Sequence, residues 1–344
     1  MGKIKFGLVG CGRISSKHFE SIETIEEAQI IACCDIKENR AKKSAEEYKV
    51  SHYYVDYKEM FTKESLDAVI ICTPSGLHPD IGIDAANKGF HVVSEKPMSI
   101  DLAGADRLIR ACDKNRVHLF VVKQNRLNTT MQLLKKAIRK KRFGKIYMVQ
   151  SNVFWQRPQS YYDLAKWRGT WEFDGGAFTN QASHYVDALY WLIGPVDFVM
   201  AETSTMARDI ETEDTGSAII KFRNGAIGTL NVTMLTYPKN FEGSITVLGE
   251  KGTVKIGGVA INNIDKWEFD EYDDDDKIIE ESNYNPPNVY GFGHIPYYMN
   301  VVNSLLGDTE PSTDGRSGRK SIEIIQAIYR STKIGKKVAL PLKI

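Results

Sequence analysis

The stretch KIKFGLVGCGRISSKHF, residues 3–19, decides the fold of the first part of the chain. A short apolar run, Ile4–Val9, leads into Gly10 and Gly12, and a helical pattern follows. The first glycine allows a tight turn, and the second lets the backbone approach a pyrophosphate. Ser15 stands where the Gly-x-Gly-x-x-Gly pattern has its third glycine, and it is small enough for close helix–strand packing. The stretch therefore predicts a dinucleotide-binding turn between a strand and a helix.

Short apolar segments alternate with helical patterns over residues 1–122. The predicted strands are Ile4–Val9, Gln29–Cys34, Ala68–Cys72, His91–Ser94 and Leu119–Val122. The predicted helices lie near Ser16–Ile25, Asn39–Tyr48, Pro79–Lys88 and Leu102–Lys114. Such alternation is typical of a parallel, doubly wound sheet covered by helices on both faces. We therefore predict an α/β Rossmann domain over residues 1–122.

After about residue 145, strands separated by glycine-containing turns replace this alternation. The predicted strands lie in KIYMVQSNVFW, FVMAETSTMA, DTGSAIIKF, GAIGTLNVTML, EGSITVLG and GTVKIGG, and the predicted helices near Gln181–Leu192, Tyr297–Leu305 and Gly318–Ile334. This pattern predicts an α+β domain over residues 123–344 with an open, mainly antiparallel sheet. The C-terminal helices are free to pack back on the first domain. The acidic run DEYDDDDK, residues 270–277, predicts a solvated loop.

Composition excludes several classes of protein. The 344 residues include 45 basic and 44 acidic side chains, for a net charge of +1, which gives no indication of a nucleic-acid or membrane surface. The longest strongly apolar run, around DAVIIC, is far shorter than a membrane span, and no signal peptide is recognisable. The five cysteines form no CxxC pair. We therefore expect reduced cysteines in a cytoplasmic protein of two domains.

The ends of two predicted strands indicate the cofactor. Asp35 ends the second strand, 20 residues after Ser15. An acid at this position binds the ribose hydroxyls and repels a 2′-phosphate, which favours NAD over NADP. The segment CTPSGLH, with Thr73, Pro74 and His78, ends the third strand, where parallel sheets bind their ligands. His78 is expected either to contact the cofactor or to cap the next helix.

The segment VVSEKP, residues 92–97, also ends a predicted strand, so Lys96 is expected to face the nicotinamide. A lysine beside the positive nicotinamide ring is partly desolvated and repelled, which lowers its pKa. It could then share a proton with a reacting hydroxyl. Pro97 is predicted to hold a cis bond that aims the lysine. The alternative is an exposed lysine in a loop.

Gly10-Cys-Gly12, Asp35, TPSGLH and EKP together resemble the glucose-fructose oxidoreductase, inositol dehydrogenase and rhizopine-catabolism family over essentially the whole chain. The resemblance implies oxidation or reduction of a secondary hydroxyl of a sugar or inositol with a nicotinamide cofactor, with Lys96 as the catalytic lysine. It also implies that residues 123–344 bind substrate and join four subunits into a homotetramer through the open sheets. Some relatives recycle bound NADH with 2-oxoglutarate, so this acid is a candidate hydride acceptor.

The segment FDGGAFTNQASHYVDAL matches a family pattern in which a histidine follows a polar residue by four. Here the pair is Asn180 and His184, expected one helical turn apart on one face. Many sugar and inositol dehydrogenases have aspartate at the first position, and this chain departs from them. His184 is the expected general base because its ordinary pKa is about 6.5, with Lys96 stabilising the substrate oxygen. The two roles could be exchanged.

A narrower resemblance concerns VVKQNR, residues 153–196 and VTMLTYPKNFEGSITVLGEKGTVKIGG, which are similar to bacterial UDP-N-acetyl-2-amino-2-deoxyglucuronate 3-dehydrogenases. These enzymes serve the route to diacetamido-uronic acids of surface polysaccharides such as O-antigen. Residues 154–173 hold seven aromatics interleaved with Arg157, Lys166 and Arg168. Aromatic faces suit a sugar or uracil ring, and cations suit a carboxylate and a diphosphate. The alternative is that the aromatics are core and the cations a solvated edge.

Residues and resemblance together predict three sets of site residues and no metal. The catalytic residues are Lys96 and His184. The cofactor-binding residues are Gly10, Gly12, Arg13, Ile14, Asp35, Thr73, Pro74, His78, Glu95, Lys96, Gln124, Trp167 and Arg168. The substrate-binding residues are Lys96, Arg126, Arg157, Tyr161, Lys166, Asn180 and His184, with a structural ion pair as the alternative for Arg126.

Three other functions remain open. The first is an enzyme of the same family that acts on inositol or a free sugar, against which Asn180 and the cationic aromatic segment count. The second is a non-catalytic sensor that keeps the Rossmann domain to bind NAD, which the presence of both Lys96 and His184 disfavours. The third is a structural assembly protein, for which the nucleotide-binding signals have no use.

Overall fold

A computed structural model describes residues 2–285 and 291–343 of the chain, which folds into two units. The first unit comprises Met1–Lys123 and His294–Arg319, and the second comprises Gln124–Gly293 and Lys320–Ile344. None of the helices among the described residues is both long enough and apolar enough to span a bilayer.

The first unit contains a six-stranded parallel sheet in the order β3-β2-β1-β4-β5-β6. Its strands are β1 Ile4–Val9, β2 Ala28–Cys34, β3 His52–Tyr54, β4 Ala68–Ile71, β5 His91–Ser94 and β6 Leu119–Val121. The connections contain α1 Ser15–Glu23, α2 Glu38–Glu47, α3 Tyr57–Lys63, a 3-10 turn Ser75–Leu77, α4 His78–Asn87 and α5 Leu102–Asn115. The predicted doubly wound parallel sheet is confirmed. The prediction had missed β3 and α3.

Both faces of this sheet are covered. Every residue of β4 and the two central valines of β5 are fully buried. Such strands show no alternation of apolar and polar residues, because helices lie on both sides of the sheet. The reactive groups of a parallel sheet therefore have to come from the loops at the strand ends.

The second unit contains an eight-stranded sheet in the order β13-β12-β11-β7-β10-β9-β8-β14. Its strands are β7 Ile146–Phe154, β8 Val196–Ser204, β9 Thr215–Phe222, β10 Ile227–Thr233, β11 Glu242–Gly249, β12 Gly252–Gly257, β13 Asn263–Phe269 and β14 Val338–Ala339. All neighbouring pairs are antiparallel except β7 and β10, which run parallel. The predicted mainly antiparallel sheet is confirmed, although β13 and β14 were not predicted.

The two faces of this second sheet differ in burial. Val149 and Val153 of β7 point to a buried apolar core. The opposite face carries exposed apolar side chains aligned across strands, with Met148 opposite Ile227 and Ile219 opposite Met200. Alternation with a period of two therefore gives this sheet one covered and one open face.

Helices and short helical turns flank the second sheet. They are a 3-10 turn Gln124–Leu127, α6 Thr129–Arg139, α7 Gln159–Asp163, a π-helical turn Ala177–Gln181, α8 Ser183–Ile193, a 3-10 turn Asp274–Ile278 and α9 Ile279–Ser282. Two helices follow: α10 His294–Leu306, in the first unit, and α11 Gly315–Ile334, which begins in the first unit and ends in the second.

The acidic run is only in part the solvated loop that the sequence predicts: Asp270, Glu271 and Asp274 are exposed, whereas Asp275 is buried. Its residues form the 3-10 turn Asp274–Ile278, which a capping box at Asp273 begins. Asp275 accepts from Lys136 at 2.6 Å, and the Arg142 guanidinium binds Asp276 through two bonds of 2.6 and 2.8 Å. The aspartates are held in place because cations at and just beyond the C-terminal end of α6 face them.

We expect the alanine variant of Asp276 to have a free energy of unfolding lower by about 2 kcal/mol, because Arg142 and the Trp267 indole N–H both lose a buried partner. Denaturant titration measures the difference. Asp274→Ala is the matched control, since the Asp274 side chain is 86% exposed, and it should change stability by less than about 0.5 kcal/mol. Equal effects of the two variants would contradict this assignment.

Candidate active site

The turn after β1 has the geometry of a dinucleotide-binding loop. Gly10 has φ +99°, and a Cβ there would lie 2.7 Å from the carbonyl carbon of Cys72, so only glycine fits. A Cβ on Gly12 would meet nothing within 4 Å, which leaves open space beside the backbone. The N-terminus of α1 follows this turn and has no side-chain cap. A helix N-terminus after a glycine turn favours a phosphate. Arg13 and Ile14 lie in the same turn, as predicted.

Asp35 lies next to this turn and is 7% exposed. One carboxylate oxygen accepts from the Cys11 N–H at 3.0 Å, and the other accepts from the Lys37 N–H at 2.8 Å. Each oxygen keeps a second lone pair for a ribose hydroxyl. The carboxylate is thus fixed beside the glycine turn, where its charge opposes a 2′-phosphate. The residues at this site fit NAD.

The loop after β4 leads to two of the predicted cofactor-binding residues, Thr73 and His78, whose hydrogen bonding differs. The Thr73 hydroxyl is buried and has no hydrogen-bond partner within the described part of the chain, which suits a ligand contact. His78 is almost fully buried, and its ring nitrogens lie 2.8 Å from the Thr73 carbonyl oxygen and 2.8 Å from the Pro97 carbonyl oxygen. Burial lowers the pKa of His78. His78 therefore ties the loop after β4 to the loop after β5 and does not cap α4 with its side chain. Its cofactor contact stays a prediction.

The loop after β5 carries Lys96, which is partly exposed, and the Lys96–Pro97 bond is cis, as predicted. The Glu95 carboxylate points into the first unit. It accepts from the Lys96 backbone N–H at 2.9 Å and lies 3.1 Å from Nε2 of His18. These contacts differ from the cofactor contact that the sequence analysis predicts for Glu95.

In the second unit, the cations of the aromatic segment stack on its rings. The Arg157 guanidinium lies 5.1 Å from the centre of Trp155 and 5.3 Å from that of Tyr161. Arg168 lies over Tyr161 at 4.3 Å and over Trp167 at 4.6 Å. Cation–π contacts like those of this layer are attractive. Trp155 and Tyr162 are buried and Lys166 is exposed, as the alternative of core aromatics and solvated cations predicts.

A pocket of about 580 Å³ opens beside this layer. Lys166 and Arg168 line it together with Tyr162 and the loop 209–211. Lys166 is exposed and Arg168 is half-buried. The pocket therefore combines one aromatic ring and two cations with three carboxylates, those of Asp163, Asp209 and Glu211.

Asn180 and His184 do not share one α-helix. Asn180 belongs to the π-helical turn, whereas His184 belongs to α8 beyond the irregular Ala182. The expectation that they lie one helical turn apart on one face stays a prediction. The Asn180 amide donates to the buried Asp174 carboxylate. Nε2 of His184 lies 3.1 Å from Nε2 of Gln124, so the Gln124 amide, predicted as a cofactor contact, adjoins the expected base.

The sequence analysis missed the carboxylate that holds the π-helical turn. Glu213 is 3% exposed and accepts from the Phe178 N–H at 2.9 Å and from the Tyr329 hydroxyl at 2.8 Å. A Cβ on Gly176, whose φ is +93°, would lie 2.1 Å from the Glu213 carboxylate. Burial raises the pKa of Glu213 to about 7. The adjacent glycines of FDGGAF were the only signal of this unusual turn in the sequence.

Arg126 forms a buried ion pair. Its guanidinium binds the Asp187 carboxylate through two bonds of 2.7 Å, and the residue is 8% exposed. Bidentate geometry of this kind fixes both side chains. The structure thus describes Arg126 as the structural ion pair that the sequence left as an alternative to a substrate contact.

Residues 4–123 match the NAD-binding Rossmann fold of the Gfo/Idh/MocA oxidoreductase family, and residues 135–340 match its C-terminal alpha/beta domain. The chain belongs to this oxidoreductase family, and its N-terminal domain is an NAD-binding domain. The expected family and cofactor are therefore confirmed.

Two solved structures are similar over nearly the whole chain. One is the WlbA dehydrogenase from Bordetella pertussis in complex with NADH and UDP-GlcNAcA, with 54% identity, 99% of both chains covered and a TM-score of 0.96. The other is the WlbA dehydrogenase from Chromobacterium violaceum with the same two ligands, with 52% identity, 100% of this chain and 98% of that chain covered and a TM-score of 0.95. The myo-inositol 2-dehydrogenase of Thermotoga maritima is 28% identical over 73% of this chain and 74% of that protein.

Asp35→Asn should reduce the preference for NAD over NADP by about tenfold, because it removes the negative charge but keeps an oxygen acceptor. Ratios of kcat/KM for the two cofactors measure the effect. Glu38→Gln, at the exposed start of α2, is the control and should leave the ratio unchanged. An unchanged ratio in the Asp35 variant would exclude its role in cofactor choice.

Gln124→Glu should move the acidic limb of the kcat/KM profile to higher pH by about one unit. The new carboxylate would adjoin the His184 ring and favour its imidazolium form, which cannot accept a proton. Gln124→Met removes the amide without adding charge and should leave this limb in place. An unshifted limb in the glutamate variant would show that His184 does not set it.

Proposed function

We propose that the protein oxidises the 3-hydroxyl of UDP-N-acetyl-2-amino-2-deoxy-D-glucuronate to the 3-keto sugar with NAD. The product would enter the synthesis of diacetamido-uronic acids for a surface polysaccharide such as O-antigen. The similarity to the Bordetella pertussis WlbA dehydrogenase in complex with NADH and UDP-GlcNAcA, 54% identical over 99% of the chain, carries the proposal.

The second unit has the chemistry that this substrate needs. The sugar carries a uronate carboxylate and a diphosphate, and Arg157, Lys166 and Arg168 supply cations beside aromatic rings. Cations and aromatic faces together suit a charged nucleotide sugar. Inositol, which is neutral, does not require these cations. The positive charge of these side chains therefore favours a nucleotide-sugar dehydrogenase over the alternative of an inositol or free-sugar dehydrogenase.

Lys96 and His184 supply the two proton-handling groups of the reaction. When bound, NAD supplies the acceptor for the hydride from C3, with both electrons of the C–H bond. We assign His184 as the general base that accepts the hydroxyl proton, because an imidazole accepts a proton near neutral pH. Lys96 would donate a hydrogen bond to the same oxygen and stabilise the negative charge that develops on it.

Finer features of the proposal concern assembly and cofactor recycling. The open face of the second sheet, with Met148, Met200, Ile219 and Ile227, supports a homotetramer joined through such faces. We further propose 2-oxoglutarate as a hydride acceptor that regenerates NAD. The five cysteines are all unpaired and buried, which supports a cytoplasmic location.

The test follows the absorbance of reduced nicotinamide after UDP-N-acetylglucosaminuronate is added, with and without NAD and 2-oxoglutarate. We expect reduction with the uronate but not with UDP-N-acetylglucosamine or myo-inositol. Lys96→Met should lower turnover by at least about 1,000-fold and still bind NADH, since it removes the donor at the reacting oxygen.

Reduction with inositol or a free sugar, but not with the uronate, would replace the proposed substrate. Near-normal turnover by the Lys96 variant would refute the assigned role of this lysine. A dependence of NADH reoxidation on 2-oxoglutarate would establish the recycling step, and its absence would show that NADH leaves the enzyme.

A further inference from the structure

A buried chain of three side chains leads to Lys96 from inside the first unit. The Tyr298 hydroxyl of α10 lies 2.5 Å from Nδ1 of His18 in α1, and Nε2 of His18 lies 3.1 Å from the Glu95 carboxylate. The other carboxylate oxygen accepts from the Lys96 backbone N–H at 2.9 Å. His18 and Tyr298 are fully buried and Glu95 is 6% exposed.

The burial of the Glu95 carboxylate requires interactions that compensate for its lost hydration. Taking a carboxylate out of water is costly unless charges and hydrogen bonds compensate. Burial alone would raise the pKa of Glu95, but the hydrogen bond from His18 and the charges of His18, Lys96 and His294 lower it to about 2. Glu95 therefore stays ionised at every pH at which the enzyme would work.

Burial disfavours the charged form of the other titratable groups around Glu95. Burial lowers the pKa of His294 to about 3 and also lowers the pKa of His78. Burial raises the pKa of the Cys72 thiol and of the Tyr297 and Tyr298 hydroxyls well above their ordinary values. The hydrogen bond from His18 and the positive charge of Lys96 thus compensate the buried carboxylate.

The interaction between Glu95 and Lys96 is mutual. If the ammonium of Lys96 favours the ionised form of Glu95, the ionised carboxylate favours the ammonium of Lys96 by the same free energy. The same carboxylate also fixes the peptide N–H from which the lysine side chain departs. Nδ1 of His78 lies 2.8 Å from the carbonyl oxygen of Pro97, the residue after Lys96. The backbone is therefore held both at Lys96 and at the residue that follows it.

We infer that Glu95 is a positioning residue for Lys96: held by His18, it fixes the lysine backbone and keeps the side chain protonated. Lys96 then donates to the substrate oxygen, and the hydroxyl proton goes to His184. This inference rests on the proposed function, and it decides between the two proton-handling roles that the sequence left exchangeable. Glu95 acts through Lys96.

The decisive variant is Glu95→Gln, which keeps the shape and an oxygen acceptor but removes the charge. We expect kcat to fall on the order of 100-fold, because a displaced reacting group costs about that much, with KM and NADH affinity unchanged. Without the carboxylate the ammonium is less favoured, so the alkaline limb of the kcat/KM profile should move about one unit to lower pH.

Asp106→Asn is the matched control. Asp106 forms an ion pair with Arg319 elsewhere in the first unit, through bonds of 2.5 and 3.0 Å. Its loss lowers stability without touching the chain to Lys96, so kcat and the alkaline limb should stay as in the wild type. A second pair tests His18: His18→Gln keeps a donor for Glu95 and should retain more activity than His18→Leu, which has none.

All variants are compared on whichever substrate the wild type oxidises, so a wrong substrate would refute the proposed function alone. A Glu95→Gln enzyme with kcat within about twofold of wild type and an unmoved alkaline limb would overturn the inference. If Glu95→Gln no longer binds NADH, the two His18 variants decide. Equal activities of His18→Gln and His18→Leu would overturn the inference, and a higher activity of His18→Gln would support it.

Metal analysis closes the remaining alternative. His18, Glu95 and His294 bring three potential ligand atoms within 4.8 Å of one another. Stoichiometric metal in the purified wild type, lost together with activity on chelation, would make these residues ligands and overturn the positioning role. Activity that survives chelation, with no bound metal, is the expected result.

Discussion

The close approach of two loops at the carboxyl edge of the parallel sheet is the constraint on which the cofactor site depends. The turn at Gly10 lies so near the backbone at Cys72 that a single methyl group would be 2.7 Å from a carbonyl carbon. This contact brings the ends of β1 and β4 together, and β5 pairs directly with β4. The glycine turn, Thr73 and Lys96 consequently lie at the same edge of the sheet, the edge at which parallel sheets bind their ligands.

Much of the first unit could be predicted because its signals are local. Apolar runs typical of strands covered on both faces predict β1 and β5 with the bounds that are observed. The glycine turn marks the end of β1. The short strand His52–Tyr54 and helix Tyr57–Lys63 escaped prediction because few of their side chains are buried. In the second unit, Asn263–Phe269 was missed for the same reason, since none of its residues is fully buried.

The candidate site divides in the same way. Residues that follow a strand, such as Asp35 and Lys96, can be named from topology alone. The partners of Glu95 and Glu213 cannot, because His18 and Tyr329 are 77 and 116 residues distant in sequence. The acidic run was misread for the same reason: its charges predict exposure unless the cations of α6 are known to face them.

The parallel pairing of β7 with β10 has a consequence for how the candidate site and the core are connected. Two parallel strands require a long connection, and here it runs from residue 155 to residue 226. The first part of this crossover carries the aromatic and cationic layer, the π-helical turn and His184, and the last part is the hairpin β8–β9. The stacked arginines Arg157 and Arg168 lie outside the paired strands of this sheet. Tyr185 and Leu189 of α8, in contrast, belong to the buried core. One crossover therefore contributes both to the candidate substrate surface and to the core that stabilises the sheet.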